Sequence, residues 1–132
     1  MANLDQTFAN QLLDASVATT PLVASTAPIH CRLMTANGTA TANGTELGTS
    51  GGYTSGTGSP TLTFAAASGG SAASNSAVTV TNMPAATING IELWDSAGTP
   101  KRKWFGALSA PKTTNPGDTF SIASGALTLA GA

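Results

Sequence analysis

The sequence predicts a single all-β domain, an antiparallel β-sandwich of jelly-roll-like type, preceded by one short α-helix. Three observations lead to this prediction. Short segments of alternating apolar residues recur from Thr61 to Leu129, turns rich in Gly, Ser, Asn and Pro separate them, and no helical periodicity appears after Ala15. The expected order is a helix (1–15), an extended link (16–28) and a sandwich (29–132) with a long loop (36–60).

The composition favours a compact fold with little surface charge. Of the 132 residues, 41% are hydrophobic and 8% are charged, and the formal net charge is −1. An average soluble domain has about 25% charged residues, whereas a disordered chain combines low hydrophobicity with high net charge. Because a nearly neutral surface repels its own copies weakly, the composition favours close association with other subunits.

The predicted helix depends on an apolar stripe. Leu4, Phe8 and Leu12 recur at helical spacing, and Asn3 with Gln6 fits an N-terminal capping box. A helix this short is marginal alone and requires a packing partner. The partner is either the core of the same domain or another subunit.

The predicted strands follow from alternation. In Ile29–Thr35, one face carries Ile29, Cys31 and Leu33 and the other carries His30, Arg32 and Met34. Further strands are predicted at 61–65, 77–82, 88–95, 103–108, 119–122 and around Leu127 and Leu129. The pairs Asn37–Gly38 and Asn43–Gly44 are each a strong signal for a type I′ turn.

Residues suited to catalysis or metal binding are sparse. His30 is the only histidine, Cys31 is the only cysteine, and the six carboxylates lack metal-ligand spacing. There is no convincing nucleophile elbow, no signal peptide and no apolar stretch that approaches a membrane span. We therefore expect no enzymatic activity, cofactor, metal site, nucleic-acid binding or membrane insertion, and synthesis in the cytoplasm.

One basic segment lies between the only two tryptophans. It is either a solvated hairpin rim or a contact with an acidic partner surface. The tryptophans, which a register centred on this turn would place opposite each other, either pack, contact a subunit or stack on a sugar ring. The candidate interface residues, with the tyrosine of the long loop, are Trp94, Lys101, Arg102, Lys103, Trp104 and Tyr53.

Several sequence motifs carry a family resemblance. They are Leu12-Leu13-Asp14, Gly44-Thr45-Glu46-Leu47, Gly51-Gly52-Tyr53, Thr63-Phe64-Ala65-Ala66-Ala67-Ser68-Gly69-Gly70, Ile91-Glu92-Leu93-Trp94-Asp95, Gly106-Ala107-Leu108, Gly117-Asp118-Thr119-Phe120 and Leu127-Thr128-Leu129. In these motifs, nearly the whole chain resembles a family of small virion structural proteins of tailed, especially actinobacterial, bacteriophages. Its members are labelled head decoration (minor capsid) proteins or tail-fibre components.

The resemblance implies two alternative locations in the virion. The first is decoration or cementing of the outer face of the assembled head, with the major capsid protein as partner and a homotrimer as the assembly state. The second is a tail-fibre or receptor-binding module. Decoration of the capsid exterior is the main expectation, and the tail fibre is its alternative.

Overall fold

The computed structural model describes residues 2–18 and 20–131. Met1 and Ala132, at the ends of the predicted domain, and Thr19, in the predicted link, lie outside the described residues. The elements are β1 (Asn3–Leu4), α1 (Gln6–Val17), β2 (Ile29–Ala36), β3 (Thr45–Glu46), a 3₁₀ turn (Gly56–Gly58), β4 (Thr61–Leu62), β5 (Ser71–Ala73), β6 (Val78–Met83), β7 (Ala86–Trp94), β8 (Arg102–Thr114), β9 (Asp118–Ile122) and β10 (Thr128–Ala130).

One antiparallel sheet dominates the fold. Its strands follow the order β1-β8-β7-β2-β3, and β4 also pairs with β2. Two separate two-stranded ribbons, β6–β9 and β5–β10, complete the β structure. The predicted all-β class with a short N-terminal helix is thus confirmed. The fold differs from a jelly roll in that two separate two-stranded ribbons replace the second continuous sheet.

The core lies on one face of the large sheet. Leu33, Ile91 and Leu93 from that sheet form one buried cluster with Val80 and Phe120 from the β6–β9 ribbon. The predicted alternation in β7 is confirmed, because Ile91 and Leu93 contribute to this cluster.

Burial raises the pKa of the Cys31 thiol to about 12, so this side chain stays protonated at neutral pH.

The helix begins later than predicted. Asn3 and Leu4 form β1, which pairs with Trp104 and Phe105 of β8. Asp5 is the N-cap, and its Oδ1 accepts hydrogen bonds from the backbone N–H of Thr7 at 2.9 Å and of Phe8 at 3.4 Å. The capping box predicted at Asn3 is therefore wrong, because strand pairing takes up the backbone of these two residues.

The segment predicted as a long loop is folded onto the sheet. It contains β3 and the 3₁₀ turn, and its two Asn-Gly pairs do not form type I′ turns, because none of the four residues has a positive φ. A Cβ on Gly38 would lie 2.5 Å from Glu92 Oε1, and one on Gly44 would lie 2.4 Å from the carbonyl oxygen of Ala36. Close packing, and not turn geometry, therefore requires glycine at both positions.

Tyr53 fills a gap beside β2. Pairing with β4 covers Ile29 and His30, and pairing with β3 covers Met34 and Ala36. Between them, the Tyr53 hydroxyl accepts a hydrogen bond from the Leu33 N–H at 3.0 Å and donates one to Glu46 Oε1 at 2.8 Å. Its side chain is fully buried, and this burial raises the pKa of the phenol.

We predict that Tyr53→Phe lowers the free energy of unfolding by about 1–3 kcal/mol, because it leaves the buried Leu33 N–H without a partner. Urea denaturation followed by circular dichroism measures the loss. Ser121→Ala, which removes an exposed hydroxyl from β9, is the control and should change stability by less than about 0.5 kcal/mol. Equal stability of Tyr53→Phe and this control would contradict the role of the hydroxyl.

Candidate functional site

Arg102 organises the face of the large sheet opposite the core. It begins β8 and is 5% exposed. Its Nε and Nη2 both donate to Asp5 Oδ2, at 2.9 and 2.7 Å, and its Nη1 donates to Glu92 Oε1 at 2.9 Å. The guanidinium also donates to the carbonyl oxygens of Thr39, Ala42 and Ala40 at 2.6, 2.8 and 3.3 Å. One cation thus joins the start of α1, the loop at 39–42 and the sheet.

Glu92 completes this buried centre. It is 1% exposed, and its Oε1 also accepts a hydrogen bond from the backbone N–H of Gly44 at 2.7 Å. Its Oε2 accepts one from the indole N–H of Trp94 at 3.0 Å. Each carboxylate oxygen therefore has a donor, as a buried charge requires.

A cleft of about 350 Å³ opens beside this centre. Aromatic surface from Phe8 and Trp94, amides from Gln11 and Asn43, and the exposed Lys101 help to line it. Apolar ring faces beside a few polar groups suit the binding of a small amphipathic ligand. The cleft therefore offers aromatic rings and amides that could contact a ligand. Its buried charges are already paired with each other within the domain.

The two tryptophans lie on opposite faces of the sheet. Trp104 pairs with Leu93 and packs against the core. Trp94 pairs with Arg102 after a register shift, and the Arg32 guanidinium lies 4.1 Å from its ring centre. The prediction that they stand opposite each other is wrong, because Trp94 directly follows Leu93 and neighbouring residues of a strand face opposite ways.

Most of the predicted basic rim is buried. Lys101 is exposed, whereas Arg102 and Lys103 are 5% and 8% exposed. Lys103 Nζ lies 3.6 Å from Asp95 Oδ2 and 4.7 Å from the centre of the Phe8 ring. A solvated rim is therefore the wrong description of Arg102 and Lys103, which pair with carboxylates of their own domain.

Of the other predicted interface residues, Tyr53 is also fully buried, within the core. The structure thus brings together Trp94, Lys101, Arg102 and Lys103 around the cleft and separates them from Trp104 and Tyr53. Asp5 and Glu92 were not among the predicted site residues. A carboxylate between Ile91 and Leu93 in a buried strand is a signal for a buried cation on the neighbouring strand.

The single histidine and the acidic side chains are the remaining polar candidates of the sequence. His30 is buried, with its Nδ1 2.9 Å from the carbonyl oxygen of Ser59. Within residues 2–18 and 20–131, no group of three or more His, Cys, Asp or Glu side chains is placed to hold a metal ion. The helices of this part of the chain include none with the length and apolar character needed to span a membrane.

Comparison with known proteins identifies the family. A family model described as the podophage GP4 fiber I protein gp80 matches residues 3–130. The chain therefore belongs to this family of phage fibre proteins, and its expected role as a virion structural protein is confirmed. No curated protein matches the chain. The family match does not support decoration of the capsid, and it fits the tail-fibre alternative better.

We predict that Arg102→Met lowers the free energy of unfolding by about 3–5 kcal/mol, because it leaves Glu92 buried without its cation. Lys101→Met, which removes an exposed charge from the preceding residue, is the matched control. Thermal and urea unfolding provide the measurement, and adding Glu92→Gln to Arg102→Met should recover part of the loss. Equal stability of Arg102→Met and Lys101→Met would contradict the central role of this side chain.

Proposed function

We propose that the chain is a component of a phage tail fibre, on the basis of its membership of the gp80 fibre family. The observation that carries this proposal is the extent of the match, since residues 3–130 span almost the entire described domain. The match thus concerns the whole β domain and its helix. Fibre assembly requires folded modules with lasting contacts, and it requires no catalytic group.

The architecture supports a load-bearing role. The loop between β2 and β4 is held on the sheet by buried and partly buried hydrogen bonds of Tyr53, Glu92 and Arg102. Loops usually have fewer internal contacts and greater mobility. Because hydrogen bonds hold its longest loop on the sheet, the domain keeps its shape when neighbouring parts of a fibre pull or rotate against it.

We predict that virions contain far fewer copies of this chain than of the major shell protein. A tail carries few fibres, whereas a decoration protein repeats over the whole head lattice. Quantitative mass spectrometry of purified virions gives the ratio, and gold-labelled antibody in electron micrographs gives the position. Abundance comparable to the shell protein, with label over the head, would overturn the fibre proposal and restore the decoration hypothesis. The major capsid protein as partner and the homotrimer stay predictions.

A second candidate function is recognition of host surface sugars through the cleft. The observation that favours it is the pairing of ring surface from Phe8 and Trp94 with the amides of Gln11 and Asn43. Sugars present apolar ring faces and hydroxyl groups, so a lining of aromatic and amide side chains matches both.

For this second function we predict that, at equal copy number per virion, Trp94→Ala lowers adsorption of the phage to its host cells at least tenfold relative to Trp94→Phe, which equally lacks the indole N–H donor to Glu92. The large effect is expected because the indole supplies stacking area that alanine lacks. Gln11→Ala, a smaller change in the same cleft, should give a smaller loss, and Trp94→Phe should retain part of the adsorption. Normal adsorption of Trp94→Ala virions would exclude the cleft as a receptor site.

A further inference from the structure

The N-terminal region exposes apolar side chains that the domain does not use. The large hydrophobic residues that are most exposed in the described chain are Leu13 at 62%, Val17 at 87%, Leu22 at 43% and Val23 at 74%. All four lie within eleven consecutive sequence positions. Large exposed apolar residues so close together in the sequence suit an interaction surface. We call residues 13–18 and 20–27 the arm.

The arm has little support from its own domain. No residue of α1 is buried, and a helix of 12 residues is marginal in water without packing. Residues 20–25 belong to no helix or strand and are exposed, and their backbone forms no hydrogen bond to another described residue. The arm therefore presents both apolar side chains and free backbone groups.

A groove with matching chemistry lies elsewhere on the domain. It has a volume of about 350 Å³, and none of its lining residues carries a charge. Leu108, Ile122 and Leu127 form half-buried walls, and the exposed Ala107 and Ala126 stand at its rim. It lies where β8 of the large sheet diverges from β9 and β10, so that part of the core stays accessible.

The groove also borders an open sheet edge. β1 pairs with β8 only at Trp104 and Phe105. Between Ala107 and Lys112, which pair with Gly90 and Ile88 of β7, β8 bulges. The backbone of residues 108–110 is therefore not in register with any described strand. Pro111 and Lys112 follow on the same strand, and both residue types discourage pairing at an edge. The unprotected part of the edge thus coincides with the apolar groove.

We propose that the arm of one copy docks in the groove of a second copy and pairs with the free edge of β8. The sequence from Ala15 to Ala27 carries no charged residue, which matches the uncharged lining of the groove. An extended segment that adds to a sheet edge obtains affinity from backbone hydrogen bonds and specificity from alternate side chains. Because donor and acceptor lie on different parts of one chain, the contact is head-to-tail and builds rings or filaments.

The contact between arm and groove determines how copies join, which is separate from where the copies are located in the virion. The proposed partner of the arm is a second copy of this chain and not a different protein, because one chain supplies both complementary surfaces. Mass-spectrometric copy numbers test the fibre location independently. A failure of the arm-and-groove contact would therefore leave the fibre proposal standing.

The test uses the full-length chain in sedimentation equilibrium. The arm variant is Leu22→Asp with Val23→Asp, and the groove variant is Ala107→Asp with Ala126→Asp. The control, Ala66→Asp with Ala67→Asp, adds the same charge at exposed positions outside both surfaces. Wild type and control should have at least twice the mass of one chain, and each variant should raise the dissociation constant at least tenfold, because a buried carboxylate is costly.

Mixing the two variants gives the decisive result. An equimolar mixture should form a two-chain complex, because the arm of the groove variant still fits the groove of the arm variant. Monomeric wild type, an arm variant that still associates, or a mixture that stays monomeric would each overturn the proposal. If Ala107→Asp lowers the melting temperature, Ala126→Lys, which lies outside the strands, replaces the groove variant.

Discussion

The fold depends on the burial of a single arginine side chain. Arg102 is shared between Asp5 before the helix, Glu92 within the sheet and three carbonyl oxygens of one loop. Replacing a buried ion pair with apolar residues is often neutral or stabilising. Apolar side chains could therefore occupy this buried volume, and packing alone does not explain why the side chains here are charged. Their hydrogen-bond geometry instead fixes where the helix starts and how the loop lies.

Periodicity in the sequence was sufficient for the fold class and for β2, β6, β7 and β9, whereas β8, predicted at 103–108, extends from Arg102 to Thr114. The alternation in β2 and β7 identifies the core residues Cys31, Leu33, Ile91 and Leu93 correctly, because one face of each strand had to meet the second layer. It also gives β6 and β9 nearly their observed bounds. These are local patterns that the two-residue repeat of a strand makes visible.

The candidate site could not be predicted in the same way. The contact between Asp5 and Arg102 joins residues 97 positions apart, and nothing in the spacing of charges indicates it. A run of three basic residues suggested a solvated surface, yet two of its members are buried beside carboxylates. The loop glycines were similarly ambiguous, because Asn-Gly is common in turns and glycine is also required wherever another backbone or side chain comes close.

The attachment points of the arm determine where mechanical tension would act. At one end, Asp5, the N-cap of α1, is held by Arg102. At the other, the Ser96 N–H donates to Thr26 at 2.9 Å, and the Ser96 hydroxyl donates to Pro28 at 2.6 Å. Ser96 and Arg102 flank the same turn between β7 and β8. A pull on an arm docked as proposed would therefore reach the two sides of a single hairpin, where β7 pairs with β8.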